Sequence, residues 1–258
     1  MCSAHSTPLD VLAIAAHRDD VEQTCGGTLL KMSQKGRRTG VLDLTRGEMG
    51  TRGTAADREG EANEAARLMG VTWREALDIP DGRVENTFIN RLKVASIIRR
   101  TRPRVVILPY WKGRHPDHYT CSILGYEACF LAGLKKLEIA KKLREEGMQT
   151  QQPQDELAPH RPFKIVYATL YYDVRPSFVV DISDQFEMRF AALMAYKSQF
   201  EDQQEGSGLF PAHQEIRDRV HSMARFYGML AGVKYAEPFL QKEVGLVEDL
   251  LSVPVQSI

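Results

Sequence analysis

The chain has 258 residues, 43% hydrophobic and 26% charged, a balance typical of a folded protein and enough for one large α/β domain or two small ones. Lys plus Arg equals Asp plus Glu at 34 each, so the net charge is zero and nothing in it points to nucleic acid or a membrane surface as a partner. No apolar stretch approaches the roughly 20 residues that span a bilayer, and "MCSAHSTPLD" lacks the basic and apolar regions of a secretory signal, so the chain reads as cytoplasmic.

Short apolar runs alternate with longer segments of helical period. "DVLAIAAH" (10–17) is nearly all apolar, as expected of a strand buried on both faces. "CGGTLLKMSQKG" (25–36) reads as a helix stopped by Gly36, and "TGVLDLT" (39–45) as a second strand. A helix over 55–70 carries acids in its first turn and ends at Gly70. The pattern then predicts a strand at 75–80, a helix at 88–103, a strand at 104–110 and one or two helices within 117–143. The polar, proline-containing stretch 144–162 reads as a loop, either flexible or a lid over a site. "FKIVYATLYY" and "FVVDIS" are strand-like, and the segments 184–200 and 216–233 are helical. No repeat or linker divides the chain, which reads as a single domain over 1–258.

This alternation predicts a mostly parallel α/β sheet with helices on both faces. Ligands of such sheets collect beyond the carboxyl ends of the strands. "AHRDD" (16–20) follows the first strand, "TRGEMGTRGT" the second, "PDGR" the third and "WKGRHPDH" the fourth, so four polar loops should meet on one rim. His17 and Asp20 are three apart in one loop, and His115 and His118 are three apart in another. A catalytic metal takes about three N or O ligands and keeps an open position for water. Two histidines and one carboxylate supply that, and the remaining carboxylate and histidine are placed for acid–base work. Each loop alone also fits a plain turn or helix cap.

The four cysteines, Cys2, Cys25, Cys121 and Cys129, form no C-x-x-C pair, which argues against a four-thiolate zinc site. Cys121 follows His118 at ligand-like spacing, but a small buried thiol is the simpler reading. "HRD" lacks the other parts of a kinase catalytic loop, and G-x-G-x-x-G is absent.

"AHRDDVE" followed by "GG", an R-x-x-E at Arg58–Glu61 and "HPDH" together resemble the LmbE/PIG-L family of zinc-dependent N-deacetylases, over nearly the whole chain. The resemblance implies a Rossmann-like fold and hydrolysis of an N-acetylglucosamine-containing small molecule. It makes His17, Asp20 and His118 the metal ligands and Asp19 the general base. It makes His115 the oxyanion stabiliser and places Arg58 where it would orient Asp19 or bind a substrate oxygen. "LTRGEMGTRGT", "RPSFVVDIS", "AYKSQF" and "YAEPF" are similar to the bacillithiol-biosynthesis branch, which acts on N-acetylglucosaminyl malate. If that branch applies, Arg114 at the rim is suited to bind the malate carboxylates. The family also implies a homo-oligomer, trimer or hexamer. Zn²⁺ is the expected metal, although Fe²⁺ also suits a His₂Asp site. The family usually has proline where Arg18 stands. Its loss bears on the rigidity of the turn, and the arginine is expected to add positive charge beside the metal.

Two other readings use the same rim. A phosphoester hydrolase would enlist Asp19, Asp20 and Glu22, and a module without Asp19 and His115 in working roles would only bind a sugar or nucleotide.

Overall fold

The computed structural model describes residues 8–148, 157–170, 172–201 and 213–255. Among them, seven strands form one sheet in the order β3-β2-β1-β4-β5-β7-β6. These are β1 (Val11–Ala15), β2 (Thr39–Asp43), β3 (Trp73–Ala76), β4 (Val105–Pro109), β5 (Lys164–Ala168), β6 (Phe178–Asp181) and β7 (Ala236–Leu240). The pairs β2–β3, β1–β2, β1–β4 and β4–β5 are parallel, whereas β7 lies antiparallel between β5 and β6.

The continuous apolar run of β1 has a direct explanation. Leu12 and Ile14 join a core with Leu92, Val94 and Ile98 of α4 (Phe88–Thr101) and with Leu124 and Ala128 of α5 (Pro116–Ala132). Val11, Ala13 and Ala15 face the opposite core, against Val21 of α1 (Asp20–Thr24) and Leu29 of α2 (Gly26–Gln34). Alternate side chains of one strand therefore meet helices on both sides.

The helical segments differ from expectation in three places. The helix read over 25–36 is preceded by the short α1, which starts at Asp20 and breaks at Cys25 (φ −142°). The segment 184–200 divides into α7 (Phe186–Met194) and α8 (Lys197–Phe200), leaving Tyr196 at the break. The segment 117–143 holds α5 and α6 (Ile139–Glu145), so α6 extends into the expected loop. Helices α3 (Ala55–Leu68) and α9 (His213–Leu230) fall where the periodicity puts them. No helix among the described residues is long and apolar enough to cross a membrane.

The sequence pattern does not mark β7, because Glu237 and Pro238 interrupt its apolar run. Glu237 is nonetheless buried. It accepts hydrogen bonds from the amides of Gly27 (2.9 Å) and Thr28 (2.7 Å) and pairs with Arg189 (3.0 Å). A Cβ on Gly27 would lie 2.9 Å from that carboxylate, so glycine is what lets α2 approach β7.

The described part of the stretch read as either a flexible loop or a lid is anchored away from the rim. His160 donates its amide to the Ala132 carbonyl (3.0 Å), and Arg99 donates to the Leu157 carbonyl (3.2 Å). Ala132 ends α5, and Arg99 of α4 also donates to its carbonyl (3.0 Å), so both anchors lie at the carboxyl end of α5, roughly 25 Å along a 17-residue helix from its start. Residues 149–156 lie outside the described residues.

Candidate active site

The four rim loops meet as the alternation of strands and helices implies, around an open cavity of about 750 Å³. His17, Asp19, Asp20, Arg58, Arg114, His115 and His118 all line it. Pairing beyond the strands fixes the first loop. The amides of Leu44 and Thr45 donate to the carbonyls of Ala15 and Ala16 (2.8 and 3.1 Å), carrying the β1–β2 ladder up to His17. The third loop is zipped to the second by Ile79 N–H on the Leu44 carbonyl (3.2 Å), which delivers Asp81 to the rim. His115 is the N-cap of α5, with Pro116 at its first position, so His118 sits one turn into the helix.

Two ring nitrogens and a carboxylate converge. His17 Nδ1 is 3.1 Å from His118 Nε2 and 3.5 Å from Asp20 Oδ2, and His118 Nε2 is 3.1 Å from Asp20 Oδ1. Tetrahedral coordination with bonds of about 2.0–2.1 Å requires edges of about 3.3 Å, so the set fits a zinc-sized cation. The nitrogens of His17, His115 and His118 also lie within 4.8 Å of one another.

The far edge of His17 is engaged by residues for which the sequence supplied no role. Nε2 lies 3.1 Å from Asp81 Oδ1 and 3.4 Å from Asp117 Oδ2. A proton on Nε2 shared with these carboxylates leaves Nδ1 as the lone-pair donor, the usual way a protein fixes the tautomer of a ligating histidine. Asp117 is itself held by the amides of Gly82 (2.8 Å) and Val84 (3.2 Å). The only sequence signal for these acids was their place in "PDG" and "HPDH", inside rim loops.

Electrostatics point to a cation. Burial opposes charge on His17, yet Asp20, Asp117 and Asp81 outweigh it and push the imidazole up to about 12. Burial would likewise raise Asp20, but His118 and His17 hold it well below the usual carboxylate range. Carboxylates gathered around imidazoles demand a positive charge, which a proton or a metal ion supplies.

Asp19 stands apart from this cluster. Arg58 Nη2 donates to its Oδ1 (3.2 Å) and Gln23 Nε2 to its Oδ2 (3.2 Å). Arg58 is 4% exposed and also donates to the Gly47 carbonyl (3.3 Å). Of the two roles open to it, orienting Asp19 is the one its contacts match. Glu61, its R-x-x-E partner, accepts from the amide (2.6 Å) and hydroxyl (2.7 Å) of Ser198. His115 accepts the Asp117 amide at Nδ1 (3.2 Å), leaving Nε2 for the cavity. Burial and the neighbouring His17 and His118 lower its pKa, so the neutral Nε2–H form prevails near pH 7.

Three other expectations are resolved. Arg18 does not put its charge beside the cluster: its guanidinium turns into a polar pocket with Asp43, Glu59 and Arg74. Glu22 is fully buried against Arg74 (2.7 Å), so it is no ligand for a second metal. Cys121 is a fully buried thiol whose pKa burial raises, as the simpler reading holds.

Comparison with known proteins agrees with this geometry. Residues 12–129 match the family model described as PIG-L, GlcNAc-PI de-N-acetylase. The chain is 32% identical over 238 residues to a diacetylchitobiose deacetylase of Thermococcus kodakarensis, covering 88% of this chain and 80% of that protein. The conserved protein TT1542 of Thermus thermophilus superposes with a TM-score of 0.77 at 38% identity, over 93% of this chain and 98% of that one. The N,N'-diacetylchitobiose deacetylase of Pyrococcus horikoshii superposes at 0.74 with 28% identity, over 89% and 82%.

Proposed function

The chain belongs to the PIG-L/LmbE family of deacetylases, and from that premise we propose that it hydrolyses the N-acetyl group of an N-acetylglucosamine conjugate, releasing acetate and a free amine. The observation that carries this reading is that a His₂Asp donor set, a separately held carboxylate and a neutral imidazole N–H all face one cavity. A divalent cation held by His17, Asp20 and His118, zinc in this reading, supplies Lewis-acid chemistry that acidifies water to a pKa of about 7 and polarises a carbonyl. Asp19 accepts the water proton. Arg58 and Gln23 each occupy one of its oxygens, fixing the carboxylate while leaving lone pairs to receive that proton. His115 presents Nε2–H to the oxyanion that develops as the amide carbon becomes tetrahedral. The departing nitrogen needs a proton to leave as an amine, and Asp19 and His115 are the two groups placed to carry it.

For the substrate, the proposal is N-acetylglucosaminyl malate, as in bacillithiol biosynthesis. The support is Arg114, an exposed guanidinium on the cavity wall suited to bidentate pairing with a dicarboxylate. The identity to a diacetylchitobiose deacetylase favours a second reading, in which another sugar occupies that rim. Self-association, as the family resemblance implies, is supported by the apolar stripe Tyr119, Ile123, Tyr126 and Phe130 exposed along α5. The deciding experiment measures acetate release from the malate conjugate, diacetylchitobiose and free N-acetylglucosamine, with and without chelator. The expected result is chelator-sensitive turnover, fastest on the malate conjugate. Arg114→Ala should raise KM for that substrate about tenfold to a hundredfold, the worth of a charge-assisted hydrogen bond, and leave free N-acetylglucosamine nearly unaffected. Preference for diacetylchitobiose selects the second reading, and no acetate from any of the three overturns both.

A further inference from the structure

The turn that carries His17 and Asp19 is held from below by two side chains outside the catalytic cavity. Asp20 N–H donates to the His17 carbonyl (3.4 Å), and Asp19 has φ −104° and ψ −7°. Those are the marks of a type I turn with Asp19 at its third position. Arg18 is therefore at the second, where proline is favoured because its ring holds φ near −65°. Arginine brings no ring, and its side chain points away into the pocket beside α3. The restraint comes through the carbonyl instead. Arg74, from β3, and Tyr196, from the break between α7 and α8, both donate to the Arg18 carbonyl.

Both donors are rigidly seated. The Arg74 side chain is 6% exposed and is forked onto Asp43 (2.9 and 3.0 Å) while also reaching Glu22 (2.7 Å). Tyr196 is fully buried, with its hydroxyl also 3.2 Å from Glu22 Oε1. A carbonyl gripped by two such donors cannot rotate, and rotation of that peptide plane is what would swing Asp19 away from Arg58 and His17 out of the donor set. We propose that Arg74 and Tyr196 are positioning residues for this site, acting through the Arg18 carbonyl to aim His17 on one side and Asp19 on the other. The proposal rests on reading His17 as a metal donor and Asp19 as the base.

The test is Tyr196→Phe, which removes one hydroxyl and keeps the buried ring. Zinc affinity is measured by chelator competition without substrate, and kcat on the zinc-loaded protein. Loss of an outer hydrogen-bond partner typically weakens metal binding about 10–100-fold, and the expected change is at the lower end, with a parallel fall in kcat. Arg18→Pro in the same chain should recover most of both losses, because among the described residues the Arg18 amide donates no hydrogen bond that proline would remove and the ring restores φ. Arg74→Lys, which keeps the charge between Asp43 and Glu22 but loses an arm, should give the same losses and recovery. Unchanged zinc affinity and kcat in Tyr196→Phe overturn the proposal, and so do losses that Arg18→Pro does not repair. Because zinc binding needs no substrate, a wrong substrate assignment leaves this result standing. Absence of zinc binding in the parent chain overturns this proposal and the metal-site reading together.

Discussion

At the residue scale, Asp19 and Asp20 are adjacent, chemically identical and differently employed. Asp20 opens α1 and is enclosed between two imidazoles, whereas Asp19 turns outward to Arg58 and Gln23. The expected consequence is a separation of metal loading from chemistry. Asp19→Asn keeps the size and the Arg58 contact but cannot accept a proton from water. It should retain a full complement of metal while kcat falls about 10²–10⁴-fold, the usual worth of a positioned base. His118→Ala should lose the metal along with activity. Elemental analysis beside steady-state rates checks both, and near-normal kcat in Asp19→Asn would assign the base elsewhere, with His115 the next candidate.

At the element scale, helix α3 serves the site by carrying Arg58 to Asp19. Its first turn is set by a capping box, in which Thr54 and Asp57 satisfy each other's amides (2.9 and 3.1 Å). Gly47, in the loop after β2, completes the seat. It has φ +70°, and a Cβ there would lie 2.4 Å from Arg58 Nη1. A methyl there would push the guanidinium off its seat between the Gly47 carbonyl and Asp19. Gly47→Ala should therefore cost about 1–2 kcal/mol of stability for the left-handed backbone. It should lower kcat by about tenfold or more, since a charge-assisted hydrogen bond is worth about 1.5–3 kcal/mol. Thermal melts and rates on the same preparation separate the two effects. A stability loss with wild-type kcat would show that Arg58 does not orient the base.

At the scale of the whole molecule, the site sits on the rim where parallel strands from the centre of the sheet end, so a cation held by the donor set would link two chain segments 101 residues apart, the turn after β1 and the start of α5. Such a cation would bind the folded protein and find no preformed set in the unfolded chain, so its binding would add to global stability. Zinc at about 100 times its dissociation constant should add about 2.7 kcal/mol, which for a chain of this size is a rise in Tm of about 5–10 °C. Calorimetry with and without chelator measures it, and His118→Ala should abolish the shift. A Tm insensitive to zinc in the parent chain would contradict metal binding at this site.

The amino-acid sequence by itself determined the strands β1, β2 and β4, the parallel character of the sheet, and the residues that gather on its rim. Those features are encoded locally: apolar runs of strand length, helical periods with caps, and polar motifs directly after strands. What the tertiary structure decided depends on partners far apart in the chain. Tyr196 meets the Arg18 carbonyl across 178 residues and Arg74 meets it across 56, and Glu237 is buried because Gly27, Thr28 and Arg189 come to it. No local pattern marks a glutamate as a strand residue when the groups that satisfy it arrive from another element. The same holds for Asp81 and Asp117, ordinary loop acids until folding sets them against His17, and for Arg18, whose direction was settled by a pocket that only the packed sheet and α3 create.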